Sequence, residues 1–325
     1  MTTTTKEPAE GRYLALCGGV GGAKLALGLS RVLPAGRLTI VVNNGDDFEH
    51  LGLPICPDLD TVTYTLAGLE NPVLGWGRDE ESWSAHTVQE LLGVEPWFRL
   101  GDKDLGLHLA RRVMLENGCS LSKVTSRIAR SFGIEHQIVP MSDNPVRTLV
   151  DSDAGVLPFQ HYFVRKRCIP VVRRLRYVGA DTARPSPAFL EALNAPDLAG
   201  VIICPSNPYL SIDPILALPG VREALRRLSA PVIAVAPIVS GAAIKGPTAK
   251  IMGELGLNPS AGAIARHYGE ILDGYVIDAD DAAAARELGD SLPLLACGIV
   301  MKTIDDKIRL ARECLAFAQS LGVQP

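Results

Sequence analysis

A glycine-rich segment follows the first apolar run of the chain. Gly18-Gly-Val-Gly-Gly-Ala-Lys24 lies between residues 13–17, a predicted buried strand, and a helical pattern. Glycines at such a junction let the backbone approach a ligand, and the N–H groups of the helix start point at an anion. The Walker spacing and a regular G-x-G-x-x-G are absent. The segment predicts a phosphate loop, and a tight turn without a ligand is the alternative. Its candidate phosphate-binding residues are Gly18, Gly19, Gly21, Gly22 and Lys24.

Acidic residues gather after the second predicted strand, residues 38–43. Asn43-Asn-Gly-Asp-Asp47 ends this strand, and Cys56-Pro-Asp-Leu-Asp-Thr61 begins a later helical pattern. Open α/β sheets bind ligands at the carboxyl ends of their strands, where converging carboxylates repel one another unless a cation lies between them. Hard oxygen ligands beside a diphosphate suit Mg²⁺. The two segments predict a Mg²⁺ site, and the alternative is that the aspartates cap a helix and a turn.

An aromatic and charged segment, residues 97–104, precedes another helical pattern. Trp97 and Phe98 can stack on a planar ring, while Arg99 or Asp102 binds the polar edge of that ring. The alternative is that the two aromatic side chains belong to the core.

A proline-rich segment, residues 205–212, follows the predicted strand at 201–204. Ser206, Asn207 and Ser211 offer hydrogen-bond donors and acceptors for a nucleobase or a ribose. A loop with a helix cap is the alternative.

Composition argues against several classes of protein. The formal net charge is −4, and the densest basic run, residues 165–176, is interleaved with apolar residues, so no nucleic-acid partner is expected. The longest apolar run, residues 231–239, is too short to span a bilayer, and no secretory signal is expected from the polar residues 1–11. The seven cysteines lack C-x-x-C spacing, and neither H-E-x-x-H nor G-x-S-x-G occurs. A cytoplasmic enzyme with reduced thiols and no membrane partner is expected.

Short apolar runs alternate with helical patterns, as in βαβ units around a parallel sheet. Strands are predicted at 13–17, 38–43, 201–204, 232–236, 275–278 and 293–296, and helices at 23–32, 221–228, 249–255, 261–268, 281–288 and 305–320. Three helical patterns fill residues 82–133, and residues 137–178 are β-rich. The predicted fold is a doubly wound, mostly parallel α/β sheet formed by residues 11–81 and 179–325, with a helical and β-rich insertion at 82–178 and a disordered tail at 1–10.

Taken together, these segments resemble the 2-phospholactate transferase family of factor 420 biosynthesis, the CofD/FbiA family. The matching segments run in the expected order from residue 15 to about residue 250, and the last 60 residues add little. They are residues 18–24, 41–47, 57–64, 75–77, 100–105, 139–145, 205–208, 237–238 and 246–247.

The resemblance implies a Rossmann-like core, an inserted region that forms part of an acceptor site, and a homodimer. It also implies an Mg²⁺-dependent reaction. A guanosine diphosphate-linked donor passes its phospho-acid to the ribityl hydroxyl of 7,8-didemethyl-8-hydroxy-5-deazariboflavin, and GMP leaves. The acid is phospholactate, phosphoenolpyruvate or 3-phosphoglycerate, which differ by too little for one sequence to decide.

The same resemblance assigns roles to residues of this sequence. The predicted acceptor-binding residues are Asp60, Thr61, Arg99 and Asp102. The predicted metal ligands are Asp46, Asp47 and Asp60, and the guanosine nucleotide loop holds Ser206 and Asn207.

No nucleophile is paired with a base in these segments, which favours a direct displacement at phosphorus. Asp60 is the predicted base for the hydroxyl proton, and Asp47 is the second predicted catalytic residue. Two alternatives stay open: a nucleotide-sugar-type transferase on a similar core, and a nucleotide- or flavin-binding regulator without catalysis.

Overall fold

The computed structural model describes residues 11–73, 75–95, 97–244, 246–283 and 292–322. The predicted tail at 1–10 lies outside the described residues, as does most of the helix predicted at 281–288. Within this part of the chain, no helix is long and apolar enough to cross a membrane.

The described residues contain fourteen strands and eleven α-helices. The strands are β1 (Arg12–Cys17), β2 (Leu38–Val42), β3 (Phe48–His50), β4 (Leu53–Ile55), β5 (Gln137–Pro140), β6 (Arg147–Ser152), β7 (Gly155–Pro158), β8 (Val172–Val178), β9 (Leu198–Ile203), β10 (Val232–Val235), β11 (Ile238–Val239), β12 (Ala242–Ala243), β13 (Gly274–Asp278) and β14 (Leu294–Cys297). The helices are α1 (Gly19–Val32), α2 (Pro57–Ala67), α3 (Ser84–Leu91), α4 (Asp102–Glu116), α5 (Leu121–Ser131), α6 (Pro187–Leu193), α7 (Asp213–Leu216), α8 (Val221–Arg227), α9 (Thr248–Glu254), α10 (Ala261–Tyr268) and α11 (Ile304–Gly322).

Seven strands form one parallel sheet in the order β14-β13-β10-β9-β1-β2-β5. The strands at its centre are buried along nearly their whole length. Strands covered on both faces have continuous apolar sequences rather than alternating ones, which is the pattern that predicts them here. The predicted Rossmann-like, doubly wound α/β fold is confirmed.

The strand order of the sheet reverses between β1 and β9. From β1 the chain adds β2 and β5 on one side, and the later strands β9, β10, β13 and β14 on the other. Such a switch point leaves a crevice at the carboxyl ends of the two central strands, where ligands bind in this class of fold. The glycine segment follows β1 and the Ser206 segment follows β9, so both border this crevice.

The region predicted as an insertion, residues 82–178, contributes to two sheets. The three predicted helical patterns correspond to α3, α4 and α5. β5 pairs with β2 as an edge strand of the central sheet, whereas β6, β7 and β8 form a separate antiparallel sheet in the order β7-β6-β8. This range therefore supplies one strand of the core in addition to its own small sheet.

The first helix packs closely against the last one. α1 begins at Gly19 rather than at Ala23, so most of the glycine segment is the first turn of the helix. Further along α1, a Cβ atom on Gly28 would lie 2.1 Å from the carbonyl oxygen of Lys307 and 3.2 Å from the Cβ of Ala311 in α11. The missing side chain at Gly28 lets the two helix backbones approach.

Substitution of Gly28 tests this packing. Gly28→Ala should lower the free energy of unfolding by about 1–3 kcal/mol, because the added methyl group forces the two helices apart. Gly253→Ala is the matched control. Its Cβ would meet nothing within 4 Å in α9, so it should raise stability by about 0.5–1 kcal/mol. Urea unfolding of both variants measures the difference, and equal effects would contradict the packing argument.

Candidate active site

The glycine segment and the Ser206 loop are joined across the switch point. The backbone N–H of Gly18 donates to Oγ of Ser206 at 3.0 Å, and the same hydroxyl donates to the carbonyl oxygen of Gly18 at 2.9 Å. One buried side chain thus uses both its donor and its acceptor capacity to hold the ends of β1 and β9 together. Ser206 is therefore a structural element of the crevice, whatever it contacts in a ligand.

Close packing explains why the segment needs glycines. A Cβ atom on Gly18 would lie 2.3 Å from Oδ2 of Asp58, one on Gly21 would lie 2.4 Å from the carbonyl oxygen of Pro205, and one on Gly22 would lie 2.3 Å from Oγ of Ser206. Gly19 has a φ of +62°, which disfavours any other residue. The glycines are required by the protein's own packing. Among them, only Gly19 and Gly21 are partly exposed, and their backbone is the part that a phosphate group could approach.

The other candidate nucleotide-binding side chains already have protein partners. Nζ of Lys24 donates to the carbonyl oxygen of Met301 at 3.0 Å. Oδ1 of Asn207 accepts from the backbone N–H groups of Tyr209 and Leu210. Nδ2 of Asn207, however, is a buried donor without a partner among the described residues. Of these two side chains, Asn207 therefore holds a donor that a ligand can use.

Asp58 was not among the residues predicted for the site, yet it links three of its segments. The sequence suggests that it caps its own helix, but Cys56 is the N-cap residue of α2. Oδ1 of Asp58 instead accepts from the N–H of Gly19 at 2.8 Å, and Oδ2 accepts from Nδ2 of Asn43 at 2.9 Å. Burial raises the pKa of Asp58 to about 6, against the effect of these two donors. Since Gly19 is distant in sequence, no local pattern reveals this role.

Asp46 and Asp47 are buried at the end of β2. Burial, followed by the charge of Asp58, raises the pKa of Asp46 well above its ordinary value. Burial raises the pKa of Asp47 to about 7, although the Cys56 thiol and the charges of Arg147 and Arg111 oppose the shift. Oδ1 of each aspartate lacks a hydrogen-bond partner among the described residues. Two buried carboxylate oxygens thus lack a hydrogen-bond donor from the described residues.

The predicted Mg²⁺ site can be tested against these positions. Within the described residues, no group of three or more histidine, cysteine, aspartate or glutamate side chains surrounds a common metal position. Mg²⁺ commonly binds one or two carboxylates and takes its other ligands from water and substrate phosphates. The free oxygens of Asp46 and Asp47 fit this smaller set. Asp60 fits less well, because Arg111 engages both of its carboxylate oxygens.

Asp60 belongs to a buried polar network between α2 and α4. NH1 of Arg111 donates to Oδ2 of Asp60 at 3.1 Å, and NH2 donates to Oδ1. Nδ1 of His108 lies 3.0 Å from NH1 of Arg111. Thr61, the next residue of α2, is partly buried. Arg111 and His108 were not predicted for the site, since their spacing on one helix is equally typical of a solvated helix face.

Arg99 precedes α4, and Asp102 is the first residue of that helix. The guanidinium carbon of Arg99 lies 4.3 Å from the centre of the Trp83 ring, and both side chains line a shallow pocket of only about 20 Å³ with Arg78 and Asp104, so a ring system could lie over it but not within it. Asp102 accepts from the backbone N–H groups of Ser84 and Ala85, which caps α3. The hydrogen bond from the Ser82 hydroxyl, followed by the two backbone bonds, lowers the pKa of Asp102 to about 2. Asp102 is thus engaged by the protein itself.

Trp97 and Phe98 are not in that pocket. They pack against the β3–β4 hairpin, with ring centres 5.8 and 4.9 Å from Phe48, and Trp97 also meets His161 at 4.5 Å. This matches the alternative that the two aromatic side chains are packed within the protein. The aromatic ring beside Arg99 is Trp83, which the sequence analysis missed.

Substitution of Asp47 tests the electrostatic cost of the site. An unfolded aspartate has a pKa of about 3.9, and the folded value is about 7, so wild-type stability should fall as pH rises from about 4 to 7. Asp47→Asn removes this loss and should raise the melting temperature by roughly 3 °C or more at pH 8, with little gain at pH 4.5.

Calorimetry in EDTA measures the effect without a bound metal. Asp181→Asn, at an exposed position, is the control and should change nothing at either pH. An equal gain at both pH values would show that the Asp47 charge is not the cause.

Comparisons with known proteins identify one family of transferases. A family model described as 2-phospho-L-lactate transferase CofD matches residues 14–290. A phosphoenolpyruvate transferase of Streptomyces griseus is 38% identical over 317 residues, covering 95% of this chain and 99% of that protein. A 2-phospho-L-lactate transferase of Methanosarcina mazei is 38% identical over 266 residues, covering 82% and 86%. The crystal structure of protein BH3568 from Bacillus halodurans superposes with a TM-score of 0.63 at 17% identity, covering 94% and 99%, which is a likeness of fold.

Proposed function

The chain belongs to the 2-phospho-L-lactate transferase CofD family of factor 420 coenzyme biosynthesis, and on that premise we propose a specific transfer reaction. A guanosine diphosphate-linked donor passes its phospho-acid to the ribityl hydroxyl of 7,8-didemethyl-8-hydroxy-5-deazariboflavin, and GMP is released. We take the enolpyruvyl donor as the first candidate, ahead of the lactyl and glyceryl donors. Its support is the set of relatives named phosphoenolpyruvate transferase that match 95% of this chain.

The observation that carries the proposal is the pair of free carboxylate oxygens beside a glycine-lined helix start. Asp46 and Asp47 each keep a buried, unpartnered oxygen at the end of β2. Asp58 connects this end of the sheet to Gly19, the first residue of α1. A diphosphate bound at the helix start would therefore lie near the two carboxylates.

The donor nucleotide is proposed to bind in the switch-point crevice. The N–H of Gly19 already donates to Asp58, whereas the N–H groups of Val20 and Gly21 have no partners within their own helix and therefore suit the diphosphate. Nδ2 of Asn207 offers a donor to the guanosine, and Lys24 offers a positive charge near the phosphates. Ser206 fixes the loop through Gly18.

Mg²⁺ is proposed to bind through Asp46 and Asp47, together with donor phosphate oxygens. When bound, it would neutralise charge on the diphosphate and on the leaving GMP. Without a ligand, the carboxylates of Asp46, Asp47 and Asp58 repel one another, which contributes to the raised pKa of Asp46. This repulsion favours the uptake of a cation together with the donor.

The acceptor is proposed to bind along α2 and the shallow pocket. Arg99 and Trp83 supply a flat, cationic surface for the deazaflavin ring. The ribityl chain would extend inward past Thr61 towards Asp60. Asp102 would act indirectly, by capping α3 and so placing Trp83.

The proposed chemical step is a direct displacement. The P–O bond to GMP breaks as the ribityl oxygen forms its bond to phosphorus, and a carboxylate takes the hydroxyl proton. Asp60 and Asp47 are the two candidate bases. Arg111 occupies both oxygens of Asp60, which can still accept a hydrogen bond that orients the hydroxyl. Asp47 has one free oxygen, so if it takes the proton, Asp46 alone would hold the metal.

A product assay tests the reaction. The protein is offered the three guanosine diphosphate-linked acids in turn, with deazaflavin and Mg²⁺, and products are identified by mass spectrometry. GMP release should require both substrates, and EDTA should abolish it. Asp46→Asn or Asp47→Asn should lower kcat about 100-fold or more, as loss of a phosphoryl clamp does.

Asp181→Asn should retain full activity in this assay. Full activity in EDTA would refute the metal requirement. Turnover of a nucleotide sugar in place of the acid-linked donors would favour the rival transferase, and nucleotide binding without GMP release would favour the regulator.

The stereochemistry at phosphorus tests the single displacement. A donor with a chiral, isotopically labelled phosphorus should give inversion, and net retention would indicate a covalent intermediate. Cys56, which interacts with Asp47, is buried, and burial raises the pKa of its thiol well above the ordinary value. It is therefore a poor nucleophile, and Cys56→Ser should leave kcat within about twofold, a change of less than 0.5 kcal/mol in barrier.

A further inference from the structure

Arg111 is a buried cation to which the proposed reaction gives no direct part. It lies on α4 with 2% of its surface exposed, and its guanidinium bonds both carboxylate oxygens of Asp60. NH1 also donates to the carbonyl oxygen of Pro54 at 3.2 Å, which ties it to β4. Buried ion pairs usually add little net stability, because desolvation of both charges offsets their attraction. Folding alone therefore gives a weak reason for placing an arginine here.

His108 extends this ion pair towards the pocket. Its side chain is 99% buried, and Nδ1 lies 3.0 Å from NH1 of Arg111. NH1 of Arg111 carries two hydrogens, so its two N–H groups are shared among the Pro54 carbonyl, Oδ2 of Asp60 and Nδ1 of His108. Nε2 lies 3.4 Å from Oδ1 of Asp104, an electrostatic contact rather than a hydrogen bond, because Nε2 has no hydrogen-bond partner among the described residues. The hydroxyl of Tyr64 donates to the same oxygen at 2.5 Å.

The two ends of this network lie in different parts of the site. At one end, Asp60 lies close enough to Asp47 for its charge to act on that carboxylate. At the other end, Asp104 lines the shallow pocket together with Arg99 and Trp83. One continuous set of buried polar contacts thus connects the acidic cluster with the pocket proposed for the acceptor ring.

We infer that Arg111 is a positioning residue of the transfer reaction. It fixes the carboxylate of Asp60 where the acceptor hydroxyl must lie, and through His108 and Asp104 it links that carboxylate to the acceptor pocket. The inference rests on the proposed function, because it gives Asp60 a role in holding the acceptor hydroxyl. A planar guanidinium can donate two parallel hydrogen bonds to the Asp60 carboxylate and so fix its orientation, which a lysine ammonium cannot do.

The test is a double-mutant cycle on Arg111 and Asp60, with GMP release as the readout. Arg111→Lys keeps the buried charge but loses the second hydrogen bond, so kcat should fall about 100-fold, as a 1 Å misplacement does. The KM of the donor should change less than threefold. In an Asp60→Asn background, Arg111→Lys should have almost no further effect, because the two residues act as one unit.

The matched control is Arg112→Lys. Arg112 is the next residue of α4, but 40% of its side chain is exposed and it pairs with exposed Glu116. This variant should keep wild-type kcat. Equal losses from both arginine variants, or additive losses in the Asp60→Asn background, would show that Arg111 is only structural and would overturn the inference.

A second variant covers the case in which Arg111→Lys does not fold. His108→Asn keeps an acceptor near the position of Nδ1 but breaks the link to Asp104, so it should raise the KM of the acceptor about tenfold while the donor KM stays constant. An unchanged acceptor KM would show that His108 does not connect Arg111 with the acceptor pocket, and would overturn that part of the inference. Absence of GMP release from the wild-type protein refutes the proposed function and the inference together, whereas normal wild-type release with an active Arg111→Lys variant refutes the inference alone.

Discussion

Two hydrogen bonds join the backbone of Gly18 to the hydroxyl of Ser206 across the crevice between β1 and β9. They fix the spacing of the loops that follow β1 and β9, at the point where the strand order of the sheet reverses. Every side chain added at Gly18, Gly21 or Gly22 would push these loops apart. The start of α1 and the Asp58 carboxylate that binds it are therefore set by this contact.

The electrostatics of the crevice work against folding. Asp46, Asp47 and Asp58 are buried, and the pKa of each is raised chiefly by burial. Neighbouring donors such as Asn43 compensate only in part, so the charged forms are costly without a ligand. A protein tolerates such a cluster where the ligand supplies the missing charge, which agrees with a cation and a diphosphate as the proposed occupants.

The helices α3 and α4 add a second wall that the central sheet cannot provide. Their starts place Trp83 and Arg99 around a shallow pocket, and α4 carries Arg111 and His108 inward to Asp60. A sheet edge supplies backbone groups and short polar side chains for phosphates. The added helices supply flat and cationic surfaces, which suit a ring system. The network of Asp60, Arg111, His108 and Asp104 joins α2 to α4, so it connects the acidic end of α2 with the proposed acceptor pocket.

The sequence by itself determined the strands, the glycine segment and the acidic segments, because each depends on a local pattern of burial or turn chemistry. It also placed Asp46 and Asp47 at the end of a strand. Only the tertiary structure decided which groups these residues meet: Asp60 bonds Arg111, 51 positions away, and Asp102 caps α3. Trp97 likewise joins the β3–β4 hairpin, while Trp83 takes the place beside Arg99. Local sequence limits which hydrogen bonds a side chain can form, but the partner it finds depends on how distant elements pack.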